Sequence, residues 1–143
     1  MNEKVISFAQ TVKEESAASP RNDEEKRSLL SSFVRQNGYL SLKGSKQGLS
    51  LSSESAAIAK VIYQYLHGLY GAEVRFAYTR SAGFLKRIVY HILVDEGAED
   101  ILNDLGVDFF APAFPKNLLA TPEQAASYLS GAFLAGGSVN DPQ

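Results

Sequence analysis

The stretch YLSGAFLAGGSVNDP, Tyr128 to Pro142, decides the fold of this chain. It begins as a helix that carries small residues at Gly131, Ala132 and Ala135, and it stops at a double glycine. Small residues four positions apart allow two helix backbones to approach each other closely. The pattern therefore predicts a helix that packs tightly against a second helix elsewhere in the chain.

An internal repeat identifies that second helix. LSSFVRQNG, residues 30–38, aligns with LSGAFLAGG, residues 129–137, at a constant offset of 99 residues (129 − 30). Leucine and serine match at the first two positions, and glycine closes both segments. A helix that returns in this way predicts a duplicated unit. We expect Ser32, Gly131 and Ala135 to lie in the contact between the two helices.

Helix signals divide the first half of the chain. Residues 3–15 predict a short helix with Val5, Phe8 and Val12 on one side, and SAASPRND is predicted to be a linker. A second helix starts at Asp23 and ends at Gly38, with acidic residues in its first turn.

Three further helices complete the helical prediction. One runs from an N-cap at Ser53 to a C-cap at Gly71, and EGAEDILNDLG forms the next. The last runs to about Gly136 and opens with Thr121 in a T-x-x-Q capping box, with proline at the first helical position.

Two β-hairpins separate these helices. YLSLKGSKQGLSLS alternates polar and apolar residues around a glycine-containing turn, and AEVRFAYTR followed by FLKRIVYHILV does the same. In the second hairpin we expect Val74, Phe76 and Tyr78 to lie beneath the helices. The opposite, uncovered face then carries Arg75, Arg87 and His91, while Arg80 and Lys86 flank the tip and Lys43 and Lys46 flank the first hairpin's turn.

The fold class predicted from this order is α+β. An αββαββα unit forms an antiparallel sheet whose helices cover one face, because each hairpin has to bury its apolar side. The first helix of a second, truncated repeat follows. We expect residues 1–22 to form an N-terminal helix and linker, residues 23–120 the first half of the duplicated domain, and residues 121–143 the start of the second half.

The net charge of −2 conceals a strong asymmetry along the chain. Residues 1–28 carry five basic and six acidic side chains, residues 29–94 eight and two, and residues 95–143 one and eight, so that −1 + 6 − 7 = −2. A basic middle segment is typical of proteins that bind a polyanion, although a solvated surface gives the same pattern.

Several classes of function find no support in the composition. The chain has no cysteine, so it has no disulfide framework and no thiolate metal site. It lacks the long apolar run of a membrane span and the features of a signal peptide, and we expect a cytoplasmic protein without a membrane partner.

The paired glycine-terminated stretches resemble the two LAGLIDADG motifs of the homing-endonuclease fold. Together with SFAQTVKEE, NGYLSL and SESAAIAKVIYQYLHGLYG, the segment FLAGGSVNDP is similar to the WhiA family of bacterial proteins, over nearly the whole chain. The resemblance implies an N-terminal LAGLIDADG-like domain of a transcription regulator in sporulation, or of a factor in cell division and chromosome segregation. It also implies a C-terminal helix-turn-helix DNA-binding domain, which this sequence lacks, and an association with the nucleoid.

The resemblance also identifies the positions that would be catalytic. In active LAGLIDADG enzymes the acidic residue before each motif's final glycine binds the divalent metals that cleave DNA, and those positions here are Asn37 and Gly136. Neither supplies a negatively charged oxygen, and two-metal chemistry requires paired carboxylates. We therefore expect no nuclease activity, no metal site and no cofactor.

Two functions remain open at this stage. The domain is either an inactive platform that binds double-stranded DNA or a protein-interaction and dimerisation module. The DNA contacts of the platform would come from Arg75, Arg80, Lys86, Arg87, Lys43, Lys46 and His91. In the second case DNA binding is left to the helix-turn-helix domain, and self-association of this fragment is expected if the last helix exposes Phe133 and Leu134.

Overall fold

The helices and strands follow the predicted order. The computed structural model of the chain describes residues 11–43, 46–81, 87–110 and 116–136. Helix α1 covers residues 11–18 of the described part. The elements after it are α2 (Asp23–Asn37), β1 (Tyr39–Lys43), β2 (Lys46–Ser53), α3 (Ala56–Tyr70), β3 (Val74–Arg80), β4 (Ile88–Val94), α4 (Ala98–Leu105), a 3-10 turn (Lys116–Leu118) and α5 (Pro122–Gly136).

The four strands form one antiparallel sheet in the order β1-β2-β4-β3. Both predicted hairpins are present, and they join through β2 and β4, where Leu49 lies opposite Val94 and Leu51 opposite Ile92. These four side chains are almost fully buried, in one core with apolar residues of α2, α3 and α4. The predicted α+β fold, with helices covering one face of an antiparallel sheet, is confirmed.

Side-chain caps fix where the helices begin. The predicted capping box of α5 is present, because Thr121 Oγ1 accepts from Gln124 N–H at 3.0 Å and Gln124 Oε1 accepts from Thr121 N–H at 3.1 Å. The N-cap prediction for α3 was wrong by two residues. Ser55 is the cap, with its Oγ accepting from Ile58 N–H, whereas Ser53 ends β2 and accepts from Ser55 N–H.

The N-terminal linker is shorter than the sequence predicts. Residues 16–18 continue α1, and the side chain of Ala17 is buried in the core. Alanine favours helix, so these residues extend the helix until Pro20 prevents its continuation. Val12 is 40% exposed, while Val5 and Phe8 lie outside the described residues.

The apolar face of β3 is only partly covered, contrary to prediction. Phe76 is 44% and Tyr78 59% exposed, because β3 is an edge strand at the side of the sheet. Of the two side chains considered for exposure on α5, Phe133 is 41% exposed and Leu134 is buried, while Leu129 on the same helix is 70% exposed. Across the described ranges, no helix has the length and apolar character needed to cross a membrane.

Candidate functional site

The two motif helices, α2 and α5, lie side by side in close contact. A Cβ atom added at Gly131 would lie closer than 3.0 Å to Ser32 Oγ and to Leu29 O, so the position has room only for glycine. Ser32 Oγ donates to Tyr128 O at 2.5 Å across the contact. Ala135, one turn later on α5, is partly buried against the core. The structure thus brings Ser32 and Gly131 together, and Ala135 packs against the core that α2 shares.

Two further serines of α2 hold other segments in place. Ser28 Oγ donates to Leu118 O at 2.7 Å, and Ser31 Oγ donates to Leu105 O at 2.7 Å. Both side chains are fully buried, and each donates its hydroxyl hydrogen to a backbone carbonyl of another segment. The sequence analysis did not identify these serines. Their spacing with Ser32 along the apolar stripe of α2 is the signal that could have revealed them.

The positions that carry metal-binding acids in active homing endonucleases hold no carboxylate. The amide oxygen Oδ1 of Asn37 accepts from the backbone N–H of Ser52 at 2.8 Å, so it serves to attach the end of α2 to β2. Gly136 lies beside the other motif helix, and a Cβ there would be 3.1 Å from Gln36 Oε1. The described residues include no group of three or more His, Cys, Asp or Glu arranged to hold a metal ion.

The sheet face opposite the helices brings basic side chains from three strands to one side. Arg75 of β3, His91 of β4 and Lys46 of β2 lie on the face opposite to the helix-side residues of their strands. Arg87 directly precedes β4 and lies in the same phase as His91. We call Arg75, Lys46 and Arg87 the sheet-face cations, and His91 shares their face. Sequence periodicity predicted that Arg75, Arg87 and His91 share this face, and the strand register agrees.

Arg75 is engaged by a carboxylate from the end of β4. Its Nε lies 2.5 Å from Asp95 Oδ2 and its Nη2 lies 3.2 Å from Asp95 Oδ1, which makes the pair bidentate. The side-chain hydrogen bond to Asp95, together with the charge of that carboxylate, raises the pKa of Arg75 above its ordinary value. Arginine is charged at any physiological pH, and Arg75 already has an anionic partner.

The other basic residues of this face also have partners. Lys46 Nζ is 3.3 Å from Glu96 Oε2, and Arg87 Nη1 is 3.4 Å from Glu54 Oε2. The His91 ring atom Nε2 lies 3.0 Å from the hydroxyl of Thr79. The sequence analysis assigned no role to Asp95, Glu96 or Glu54, although two of them directly follow the last strand.

The structure describes the backbone positions of two of the three other residues expected to contact DNA. Arg80 ends β3 and lies on the same side of the strand as Phe76 and Tyr78, so the register places it opposite to Arg75. Lys43 occupies the last position of β1, opposite Lys46. Lys86 lies outside the described residues.

A cluster of aromatic rings lies at the β3 edge on the helix side of the sheet. Phe76 packs edge-on against Tyr63 of α3 with ring centroids 6.0 Å apart, and it also contacts Tyr90, which contacts Tyr78. His67 stacks on Tyr63 at 6.0 Å. We call these five side chains the aromatic edge. Exposed contiguous apolar surface of this kind is typical of interaction sites.

One polar cluster links α2, α3 and α4. The Tyr70 hydroxyl donates to Asp104 Oδ2 at 2.6 Å, and Arg27 donates to both Asp104 carboxylate oxygens at 2.9 and 3.0 Å. Burial, followed by the hydrogen bond to the Asp104 carboxylate, raises the pKa of Tyr70 well above its ordinary value. The cluster holds helices together and lies apart from the sheet face.

Comparison with known proteins agrees with this architecture. A family model described as the WhiA N-terminal LAGLIDADG-like domain matches residues 23–108. A protein named probable cell division protein WhiA, from Lacticaseibacillus casei (strain BL23), is 36% identical over 144 aligned positions, which cover 97% of this chain and 46% of the relative. The chain therefore spans a little under half the length of the curated relatives it matches.

Two solved structures share the fold. The crystal structure of full-length DUF199/WhiA from Thermatoga maritima aligns with a TM-score of 0.61 at 22% identity, covering 90% of this chain and 39% of that one. The crystal structure of the N-terminal LAGLIDADG domain of DUF199/WhiA also gives a TM-score of 0.61, at 24% identity, covering 90% and 58% of the two chains. With its paired motif helices and its match over residues 23–108, the chain belongs to the WhiA N-terminal LAGLIDADG-like domain family.

Proposed function

We propose that the chain is a catalytically inactive LAGLIDADG-like domain of a DNA-binding regulator that acts in cell division. The proposal extends to sporulation and chromosome segregation as related processes. We place the regulator in the cytoplasm, associated with the nucleoid. The observation that carries the proposal is the chemistry at the two motif-helix ends. Asn37 supplies a neutral oxygen that is already bound to the Ser52 N–H, and Gly136 supplies no side chain. Hydrolysis by two metals requires carboxylates at such positions.

A cleavage assay and a metal titration test the inactivity. We expect no cleavage of duplex DNA in Mg²⁺ or Mn²⁺, and no rise in melting temperature when Mn²⁺ is added to the chain. The double variant Asn37→Asp, Gly136→Asp restores two carboxylates at adjacent helix ends and is expected to gain Mn²⁺-dependent stabilisation. Metal-dependent cleavage by the unaltered chain would refute the proposal.

DNA association is the second part of the proposal. The sheet-face cations support it, because Arg and Lys contact phosphates without regard to base sequence and such binding weakens as salt rises. Titration of a labelled duplex at low and moderate salt measures it. We expect binding at low salt that is lost at moderate salt, and that weakens when Arg75 and Arg87 are both replaced by alanine.

The aromatic edge favours a second candidate, a protein-interaction module. Phe76 and Tyr78 are exposed on an edge strand, where both side chains and unpaired backbone groups are accessible to a partner. Absence of DNA binding even at low salt would favour this function. Of the possible protein interactions, self-association can be tested with this chain alone. Sedimentation would then show an oligomer that dissociates on Phe76→Ser with Tyr78→Ser but persists on Leu129→Ser, whose side chain is exposed on α5.

A further inference from the structure

The sheet-face cations are matched by carboxylates of the chain itself. We infer that Asp95, Glu96 and Glu54 occupy the places that DNA phosphates would take, so that DNA has to displace these carboxylates in order to bind the face. The inference rests on the proposed DNA association and names the residues that weaken it. We call these three residues the competing carboxylates.

The Arg75–Asp95 pair has the geometry that arginine also uses for phosphate. Two nitrogens of one guanidinium meet two oxygens of one anion, at 2.5 and 3.2 Å. Carboxylate and phosphate both accept this fork, so the two anions compete for the same donors. The side chains of Arg75 and Asp95 are 54% and 46% exposed, which leaves the pair open to an incoming phosphate.

The other two pairs extend the competition along the face. Lys46 begins β2 and meets Glu96, while Arg87 precedes β4 and meets Glu54 just beyond the end of β2. Three positive charges are thus balanced by three negative charges at the two ends of the central strand pair. The local excess of +6 in residues 29–94 is therefore reduced on this face by acids that come mostly from the next segment.

A cleft next to these pairs makes the same end of the sheet more negative. It has a volume of about 460 Å³, and Asp95, Glu96, Glu99 and Asp100 line it together with Lys46. A phosphate that approaches Arg75 or Lys46 therefore meets several carboxylates nearby. Because exposed ion pairs add little to stability, the three pairs can be exchanged for phosphates without unfolding the domain.

Neutralising the competing carboxylates tests the inference in the 143-residue chain. The variant Asp95→Asn, Glu96→Gln, Glu54→Gln keeps the side-chain shapes and removes three negative charges. A matched control, Glu15→Gln, Asp108→Asn, Glu123→Gln, removes the same charge from exposed residues that pair with none of the sheet-face cations. Both variants are titrated with a labelled random-sequence duplex at about 50 and about 200 mM salt, where phosphate contacts differ strongly in strength.

We expect the test variant to bind on the order of tenfold more tightly than the unaltered chain at low salt. The slope of log affinity against log salt should steepen by about 0.9 for each cation released, so by roughly 2 to 3 in total. The control should change affinity by less than about twofold, because distant exposed charges are screened by salt. Adding Arg75→Ala to the test variant should remove part of the gain.

Three results would overturn the inference. Equal gains in the test and control variants would mean that net charge alone matters, and weaker binding by the test variant would mean that the carboxylates orient the cations for DNA. Failure of the test variant to bind at low salt would also reject it. If the test variant binds DNA and the unaltered chain does not, the inference about the competing carboxylates stands and the proposed DNA association of the unaltered domain fails. The failure of one proposal can therefore be told apart from the failure of the other.

Discussion

Replacing Gly131 with alanine is expected to separate the two motif helices and destabilise the domain. The added Cβ would lie within 3.0 Å of Ser32 Oγ and of the backbone oxygen of Leu29, and the backbone oxygen cannot rotate away. Helix α5 therefore has to move from α2 by on the order of 1 Å. A gap of that size forfeits a quarter to a half of the dispersion energy of each affected contact.

The magnitude follows from three contributions. Overpacking of a well-packed contact costs about 1–3 kcal/mol. Loss of the Ser32–Tyr128 hydrogen bond adds about 1 kcal/mol. Alanine recovers up to about 1 kcal/mol relative to glycine through its higher helix propensity. The net expectation is a loss of about 1–3 kcal/mol in the free energy of unfolding, or about 2–12 °C in melting temperature for a domain of this size.

Gly68 provides the matched control. It lies inside helix α3, and an added Cβ would meet no atom within 4 Å. Gly68→Ala is therefore expected to stabilise the chain by about 0.5–1 kcal/mol through reduced unfolded-state entropy and better helix propensity. Urea unfolding followed by circular dichroism gives both values. A Gly131→Ala variant as stable as the unaltered chain would refute the close contact of the motif helices, provided that Gly68→Ala behaves as expected.

Three further expectations concern other parts of the fold. Asn37→Ala should lower the free energy of unfolding, measured in urea, by about 1–2 kcal/mol because it leaves the Ser52 N–H without its partner. Asn37→Asp keeps an acceptor and should lower it by less. Equal losses would contradict the role of Asn37 as the acceptor for Ser52. Burial, and then the hydrogen bond to Asp104, raises the folded-state pKa of Tyr70. Its stabilising contribution is therefore complete below the unfolded pKa of about 10 and is lost as pH rises above that value, so Tyr70→Phe should flatten the decline of stability at alkaline pH. An unchanged pH profile would show that titration of Tyr70 does not cause the decline. Gly71→Ala should lower the free energy of unfolding by about 1 kcal/mol and Gly71→Asn by less, because this C-cap has a φ of 60°. Thermal melts measure both variants, and a lower melting temperature for Gly71→Asn than for Gly71→Ala would argue against the left-handed cap.

The candidate site could be predicted only where local pattern determines it. The contact of Ser32 with Gly131 followed from an internal repeat and from the rule that small residues permit close helices. The grouping of Arg75 and His91 on one face followed from the alternation of side chains along a strand. The N-cap at Ser55 was missed because neighbouring serines make equally good caps, and the choice between them depends on where β2 ends.

The sequence by itself determined the element order, the paired helices and the lack of acids at Asn37 and Gly136, because each of these depends on periodicity, capping or residue identity. Only the tertiary structure decided how the charges are arranged. Arg75 and Asp95 are 20 residues apart in the chain, and they meet because β3 and β4 pair in one particular register. A basic segment and an acidic segment that look separate along the chain neutralise each other on the sheet, since ion pairing depends on distance in space rather than on position in sequence.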